Sequence, residues 1–497
     1  MRLVRCITTL YLILLQLLPI AYAEKVWSVF IFHRHGDRTP KGSKPPSVLT
    51  ALGYEQILQS GQFLRSQYIV KDSSKHISGI APDSVNNAQL TVSAPDDLIL
   101  MNSAQAFAQT LYPPIGSGLS AQTLANGTRI PGGMDGYQLI PVHTSTSGGA
   151  SSENSQWLQG QSGCQEALLS SNSYFSSAAY LQKLESTRSF YGSLGPAVQG
   201  IFPDEKDRTF KNAFIIFDKL NVARIHNTTF PGKELITDSV YHQLRTLADA
   251  HEYGLAFNAT EPVRAISGST LAAQILSHFN NVIAGRTADG DTGNPLLNIQ
   301  FGAYGTFLSF FGLVELTAAN PDFYGINDYA SHMTFELLSS DGPSSMPNPT
   351  ELHVRFLFNN GSASTSIQQQ TVYPLFGADA NHQTMRWTNF QQKMQKIAVG
   401  DQKDWCRVCG NNTGVCADYV TADQSSSATS PTGSSSSSGP GGISAVVAGV
   451  IGALVTLVIV LGVEGLVILF ARLRLVRRQE RKASAATSLD GTITKEA

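Results

Sequence analysis

Val26-Trp27-Ser28-Val29-Phe30-Ile31-Phe32 runs directly into His33-Arg34-His35-Gly36-Asp37-Arg38-Thr39-Pro40. A continuous apolar run of this length suits a strand buried on both faces of a parallel sheet. Polar groups placed straight after such a strand fall where open α/β sheets bind ligands, at the carboxyl ends of the strands. Arg34 and Arg38 carry guanidinium forks that match phosphate oxygens bidentately. Gly36 lets backbone approach a ligand closely. The His35 imidazole has the chemistry to attack phosphorus as a nucleophile. His33 has no such role and reads as structural.

Outward from this stretch, 49–68 reads as a helix, with Tyr54, Ile57, Leu58, Gly61, Leu64 and Tyr68 at helical spacing. Segments 104–111 and 212–224 read as helices too, 145–154 as a loop, and 115–260 as a helical insertion capping the sheet. Alternation of helices and strands predicts an α/β body. The chain has 497 residues, 42% hydrophobic and 14% charged, with a formal net charge of −2. That balance excludes a polybasic nucleic-acid binder, since it supplies no broad phosphate-neutralising surface. It also excludes a highly charged disordered chain.

The ends explain part of the low charge. Arg2 and Arg5, an apolar core and Ala21-Tyr22-Ala23 read as a signal peptide over 1–23. Segment 443–470 reads as a single transmembrane helix, and Arg472, Arg474, Arg477 and Arg478 place 471–497 as a basic cytoplasmic tail. Between body and span, 421–442 is Ser- and Gly-rich and reads as a flexible stalk. These features predict a single-pass type I protein whose 24–420 ectodomain lies outside the cytosol, on a plasma or a vacuolar/lysosomal membrane. Sequons at Asn126, Asn227, Asn258, Asn360 and Asn411 fit a glycosylated exterior. Cys164, Cys406, Cys409 and Cys416 remain after the signal is removed, an even set that predicts two disulfides with three possible pairings. A zinc or redox reading of Cys406-Arg407-Val408-Cys409 ranks below disulfides, because no second CxxC or histidine pair completes a metal site.

The residues also carry a resemblance. Arg34–Pro40 resembles the RHGxRxP signature of the histidine acid phosphatases, which include phytases and lysosomal acid phosphatases. Leu49-Thr50 with Gly53 and Gln56 is similar to that family's LTxxGxxQ helix, and Leu64-Arg65 with Tyr68 to its LRxRY end. Ser103–Phe107, Tyr112-Pro113 and Pro141–Thr144 resemble its SAQAF, YP and PVHT elements. The resemblance implies a phosphoglycerate-mutase-like fold, with a mostly parallel sheet flanked by helices. It implies phosphomonoester hydrolysis through a phosphohistidine on His35, with Arg34 and Arg38 on the phosphoryl group, and no metal or other cofactor. Phosphate or a phosphomonoester is the implied ligand; phytate, phosphoproteins and small esters stay open.

Two family elements are altered. Ile99 stands where an arginine precedes the SAQAF helix, and an isoleucine cannot bind phosphate. Tyr304-Gly305 stands where His-Asp follows a strand, so the aspartate that protonates the leaving group is missing. A rival alignment, through His332, keeps a histidine but still lacks the aspartate. The expectation is impaired or altered catalysis, assisted by Asp37, His143, Tyr304 or His332, or else a non-catalytic phosphate-binding ectodomain.

Overall fold

The computed structural model describes residues 24–41, 47–145, 162–285, 294–340, 345–361, 369–417 and 419. The chain divides into two units, Met1–Ser427 and Ala428–Ala497, and everything that follows concerns the first. The segments read as signal peptide, stalk, span and tail lie outside the described residues. Among the described residues no helix is long and apolar enough to cross a membrane.

The opening run forms strand β1, Glu24–Arg34, at the centre of an eight-stranded sheet. On one side it pairs in parallel with β6 (Leu297–Gly302), which pairs in parallel with β2 (Leu90–Pro95), which pairs in parallel with β5 (Val142–Ser145). On the other side β1 is antiparallel to β7 (His332–Ser340), and β8 (His353–Asn359) continues antiparallel. Two short strands, β9 (Thr371–Val372) and β10 (Met385–Arg386), complete that edge. The sheet is therefore mixed rather than mostly parallel. The sequence run could not distinguish the two, because β1 is buried on both faces whichever way its neighbours point. A separate ribbon pairs β3 (Gln122–Thr123) with β4 (Arg129–Ile130).

Alternation along β1 divides the core. Val29 and Ile31 face α1 (Ala51–Tyr68) and α2 (Leu98–Leu111), joining Ile57, Leu64, Ala104 and Phe107. Trp27, Phe30 and Phe32 join the opposite cluster with α6 (Ile266–Gly285) and α7 (Tyr304–Leu313), through Leu271, Phe279 and Phe307. Each such side chain contributes about 1.5–3 kcal/mol on full burial, so this strand anchors both layers.

Within the range expected to be a helical insertion, β5 belongs to the main sheet. The helices α3 (Gln165–Ser173), α4 (Ala213–His226) and α5 (Asp238–Ala256) follow it. After α8 (Trp387–Gln395) comes α9 (Gln402–Val408), followed by a 3-10 turn at Gly414–Cys416. Disulfides join Cys164 to Cys409 and Cys406 to Cys416. Each half of the CxxC pair thus takes a partner outside the motif, and one bridge ties α3 to the region after α9.

Candidate active site

The loop after β1 is docked on the start of α1 by backbone contact. A Cβ at Gly36 would lie 2.2 Å from the Gly53 carbonyl oxygen, and one at Gly53 would lie 2.0 Å from that of Asp37. Only two glycines fit there. Thr50 caps α1 through the Gly53 N–H, and the Gln56 side chain accepts the Asp37 N–H at 2.9 Å. The conspicuous residues of the helix motif therefore position the loop. From α2, Ser103 Oγ accepts the Gly36 N–H at 3.4 Å.

His35 is 2% exposed. Its Nδ1 pairs with the Gly36 carbonyl at 2.8 Å, which fixes the proton on Nδ1 and leaves the lone pair on Nε2. Burial, then the positive charges of Arg34 and Arg38, hold its pKa well below the ordinary value. The imidazole is a neutral base in a cationic surrounding, the state a nucleophile requires.

Arg34 is buried between two aromatic rings, 4.7 Å from the Tyr329 centroid and 5.3 Å from that of Tyr304. Its Nη1 donates to the Asn327 carbonyl. Arg38 is fully buried, and both terminal nitrogens donate to Asp218 of α4, at 3.1 and 3.0 Å. That bidentate fork is the geometry an arginine presents to a phosphate. Asp37 is buried as well. Its carboxylate accepts from Thr50 and from His226 at 2.6 Å, so it braces the loop.

Tyr304 stands at the carboxyl end of β6, as the preferred alignment expects, and begins α7. Its hydroxyl donates to Glu252 of α5 at 2.7 Å. Burial first, then the Glu252 carboxylate, push its pKa well above the ordinary tyrosine value. Glu252 is held from its other side by His251 at 2.7 Å. Ile99 is buried at the start of α2, where Asp97 caps the first N–H groups at 2.9 and 3.0 Å. That helix end therefore offers neither an arginine nor free donors.

Two sequence candidates fall elsewhere. His143 is exposed on β5 and level with Phe32, through Ser93 and Gln300. Three strand spacings put it about 14 Å from β1. His332 is buried opposite His33 and stacked on it at 5.2 Å. Burial holds its pKa well below the ordinary histidine value. Its ring lies under α1, beside Phe63, rather than beside His35. His33 is likewise structural, bonded to Ser60 at 2.7 Å. Among the described residues no group of three or more His, Cys, Asp or Glu is arranged to hold a metal ion.

Residues 46–359 match the family model described as histidine phosphatase superfamily (branch 2). The chain belongs to that superfamily. The matched stretch begins after the Arg34–Pro40 loop, so membership is carried by the body of the fold. This histidine phosphatase superfamily member is similar to the lysosomal acid phosphatase of Xenopus laevis, 24% identical over 81% of this chain and 83% of that protein. In structure it resembles the phytase of Citrobacter braakii, with a TM-score of 0.53 at 13% identity, covering 78% of this chain and 99% of the phytase. It also resembles the Hafnia alvei phytase in complex with myo-inositol hexakis sulphate, with a TM-score of 0.51 at 10% identity, covering 78% and 98%. These likenesses show the fold.

Asp218, His226, Glu252 and Tyr329 escaped the sequence reading. Asp218 left one trace, as a lone carboxylate after the apolar run Phe214-Ile215-Ile216-Phe217. His226 and Tyr329 lie nearly 200 residues or more from the loop they contact, Glu252 reaches the site only through Tyr304, and none left a local signal.

Proposed function

We propose that this protein handles phosphomonoesters outside the cytosol, with His35 as a slow phosphoryl acceptor and with a preference for good leaving groups. In the attack step, His35 Nε2 forms a bond to phosphorus while the ester P–O bond breaks and its electron pair leaves on the alcohol oxygen. Arg34 stabilises the charge on the phosphoryl oxygens. Water then attacks the phosphohistidine, releases phosphate and restores the imidazole. The observation that carries this reading is the His35 Nδ1–Gly36 bond, which presents a neutral Nε2 beside Arg34.

The leaving-group side supports a slow reaction. The Tyr304 proton is committed to Glu252 and its pKa is raised, so it is a poor acid. Loss of a general acid costs about 10²- to 10⁴-fold, and aryl phosphates feel that loss least. The two disulfides suit an oxidising compartment, and the likeness to a lysosomal acid phosphatase fits the secretory pathway. Anchoring through 443–470 and the glycosylated exterior are part of the same proposal. A phosphate-type ligand is supported by the inositol hexakis sulphate bound to the Hafnia alvei phytase.

The test is p-nitrophenyl phosphate hydrolysis at acidic pH, beside β-glycerophosphate as an alkyl ester and His35→Ala as control. Turnover of the aryl ester that disappears in the variant supports the proposal; equal background in both preparations defeats it. The Arg38–Asp218 pair favours a second reading, a phosphate-binding protein without turnover. Vanadate raising the melting temperature of an inactive wild type, but not of His35→Ala, would select it.

A further inference from the structure

A large cavity lies beside the His35 site rather than over it, and neither Arg34, His35 nor Arg38 lines it. It encloses about 980 Å³ between α5 and the loop before β7. Helix α5 turns one face to it, with Tyr241, Arg245, Asp249 and Tyr253 spaced four residues apart. At 1.5 Å per residue this row spans about 18 Å, with a ring at each end and fixed polar groups between.

The polar middle is ordered by its own contacts. Arg245 donates to Asp328 at 2.7 Å, and Asp249 accepts the Ile326 N–H at 2.8 Å. Opposite Tyr253, Tyr324 stacks edge-on at 4.8 Å and is 50% exposed. A half-exposed ring held by a second ring is a ready stacking platform. Three lining carboxylates, of Asp249, Asp322 and Asp328, outnumber the single Arg245 guanidinium. With its one guanidinium already paired to Asp328, the lining supplies no cationic field for a polyanion such as an inositol polyphosphate. Aromatic platforms flanking fixed donors and acceptors suit a neutral, hydroxyl-rich ring compound.

We propose that this cavity is a binding site for a neutral oligosaccharide, stacked on Tyr324 and Tyr253 and hydrogen-bonded through Arg245, Asp249 and Asp328. The proposal stands independently of phosphoryl transfer at His35. The saccharide has two possible sources. It is a separate ligand, or it is carried by the chain itself on Asn360, a sequon residue that is exposed, lines the cavity and is held by the Asp328 N–H at 2.9 Å.

The experiment titrates the full chain, secreted from a eukaryotic host, with mannotriose and with chitotriose, following tyrosine fluorescence and melting temperature. Wild type, Asn360→Gln, Tyr324→Ala, Asn360→Gln/Tyr324→Ala and His35→Ala are compared, with myo-inositol hexakisphosphate as the polyanion control. For a separate ligand, wild type and His35→Ala bind a trisaccharide saturably and Tyr324→Ala weakens it at least tenfold. For a self-carried glycan, wild type is refractory and Asn360→Gln gains the binding, again weakened tenfold in the double variant. Tyr324 is half exposed, and the melting curve checks that its variant folds. Absence of saturable binding in both wild type and Asn360→Gln overturns the proposal. So does an undiminished affinity without Tyr324, or binding of the hexakisphosphate in this cavity with loss of affinity in Tyr324→Ala.

Discussion

The loop Arg34–Pro40 and the residues opposite it have been treated differently by the sequence. The loop is seated on α1 by two glycines, oriented through the Gly36 carbonyl and braced through Asp37. Opposite it, Ile99 is apolar, Tyr304 is bonded to Glu252, and Asp218 takes the fork of Arg38. One side is built to present a nucleophile; the other provides neither the extra cation nor the acid that speeds departure of an alcohol. A phosphoryl acceptor and a leaving-group donor are separable pieces of a site, and the proposed function has this chain keeping the first without the second.

The largest effect should come from the intact side. His35→Ala removes the nucleophile, and p-nitrophenyl phosphate turnover should fall at least ~10³-fold, to background. Arg34 and the fold remain, so phosphate binding should weaken far less than turnover. An equal loss of both would mean that the loop had collapsed. The next effect repairs the altered side. Replacing Tyr304-Gly305 by His-Asp should raise hydrolysis of β-glycerophosphate by ~10²-fold or more and of the aryl ester much less, the signature of a restored acid. There is room for it, because a Cβ at Gly305 meets nothing within 4 Å. A rate that stays flat for the alkyl ester would show that the missing acid is not what separates the two sides.

A third change acts where the sides meet. Asp218→Ala leaves the buried Arg38 without its carboxylate, which should cost about 3 kcal/mol of stability. Inorganic phosphate should then raise the melting temperature of the variant more than that of wild type, because an anion replaces the carboxylate. If the variant melts like wild type, or gains nothing extra from phosphate, Asp218 is not holding the phosphate-facing fork.

How much of this was legible follows from distance along the chain. The β1 strand, α1 and the His35 loop are contiguous, and their pattern carried the α/β class and the position of the proposed nucleophile. Tyr304 was placed because a strand signal precedes it at Leu297–Gly302. The strands β7 and β8 were legible through the family resemblance, but their antiparallel direction was not, since a run buried on both faces reads the same whichever way its neighbours point. Asp218 and Glu252 were invisible for another reason: they reach the site from α4 and α5, and only the packing of those helices brings them there. His332 looked eligible as a histidine near a strand start, yet the β1–β7 register puts it opposite His33, in the core.

The smallest effect concerns acid. Burial lowers the pKa of His33 to about 4 and that of His278 to about 3. Both titrate near 6.5 once unfolded, so below that pH the unfolded chain binds protons that the folded chain refuses. Their contribution to stability is complete above pH 6.5 and is lost as pH falls toward 4 and 3. At pH 5 each should cost about 2 kcal/mol. Urea midpoints at pH 7 and pH 5 measure the slope, and His278→Gln, whose amide can still meet Ser28 Oγ, should remove the share of it, about 2 kcal/mol, that His278 contributes. A midpoint unchanged between the two pH values would refute the assignment. His35 shares the same downward shift, which favours its neutral form in acid. The acidic limb of turnover should therefore track unfolding of the core rather than titration of the nucleophile, and His278→Gln should extend that limb to lower pH while leaving the rate at pH 6 unchanged.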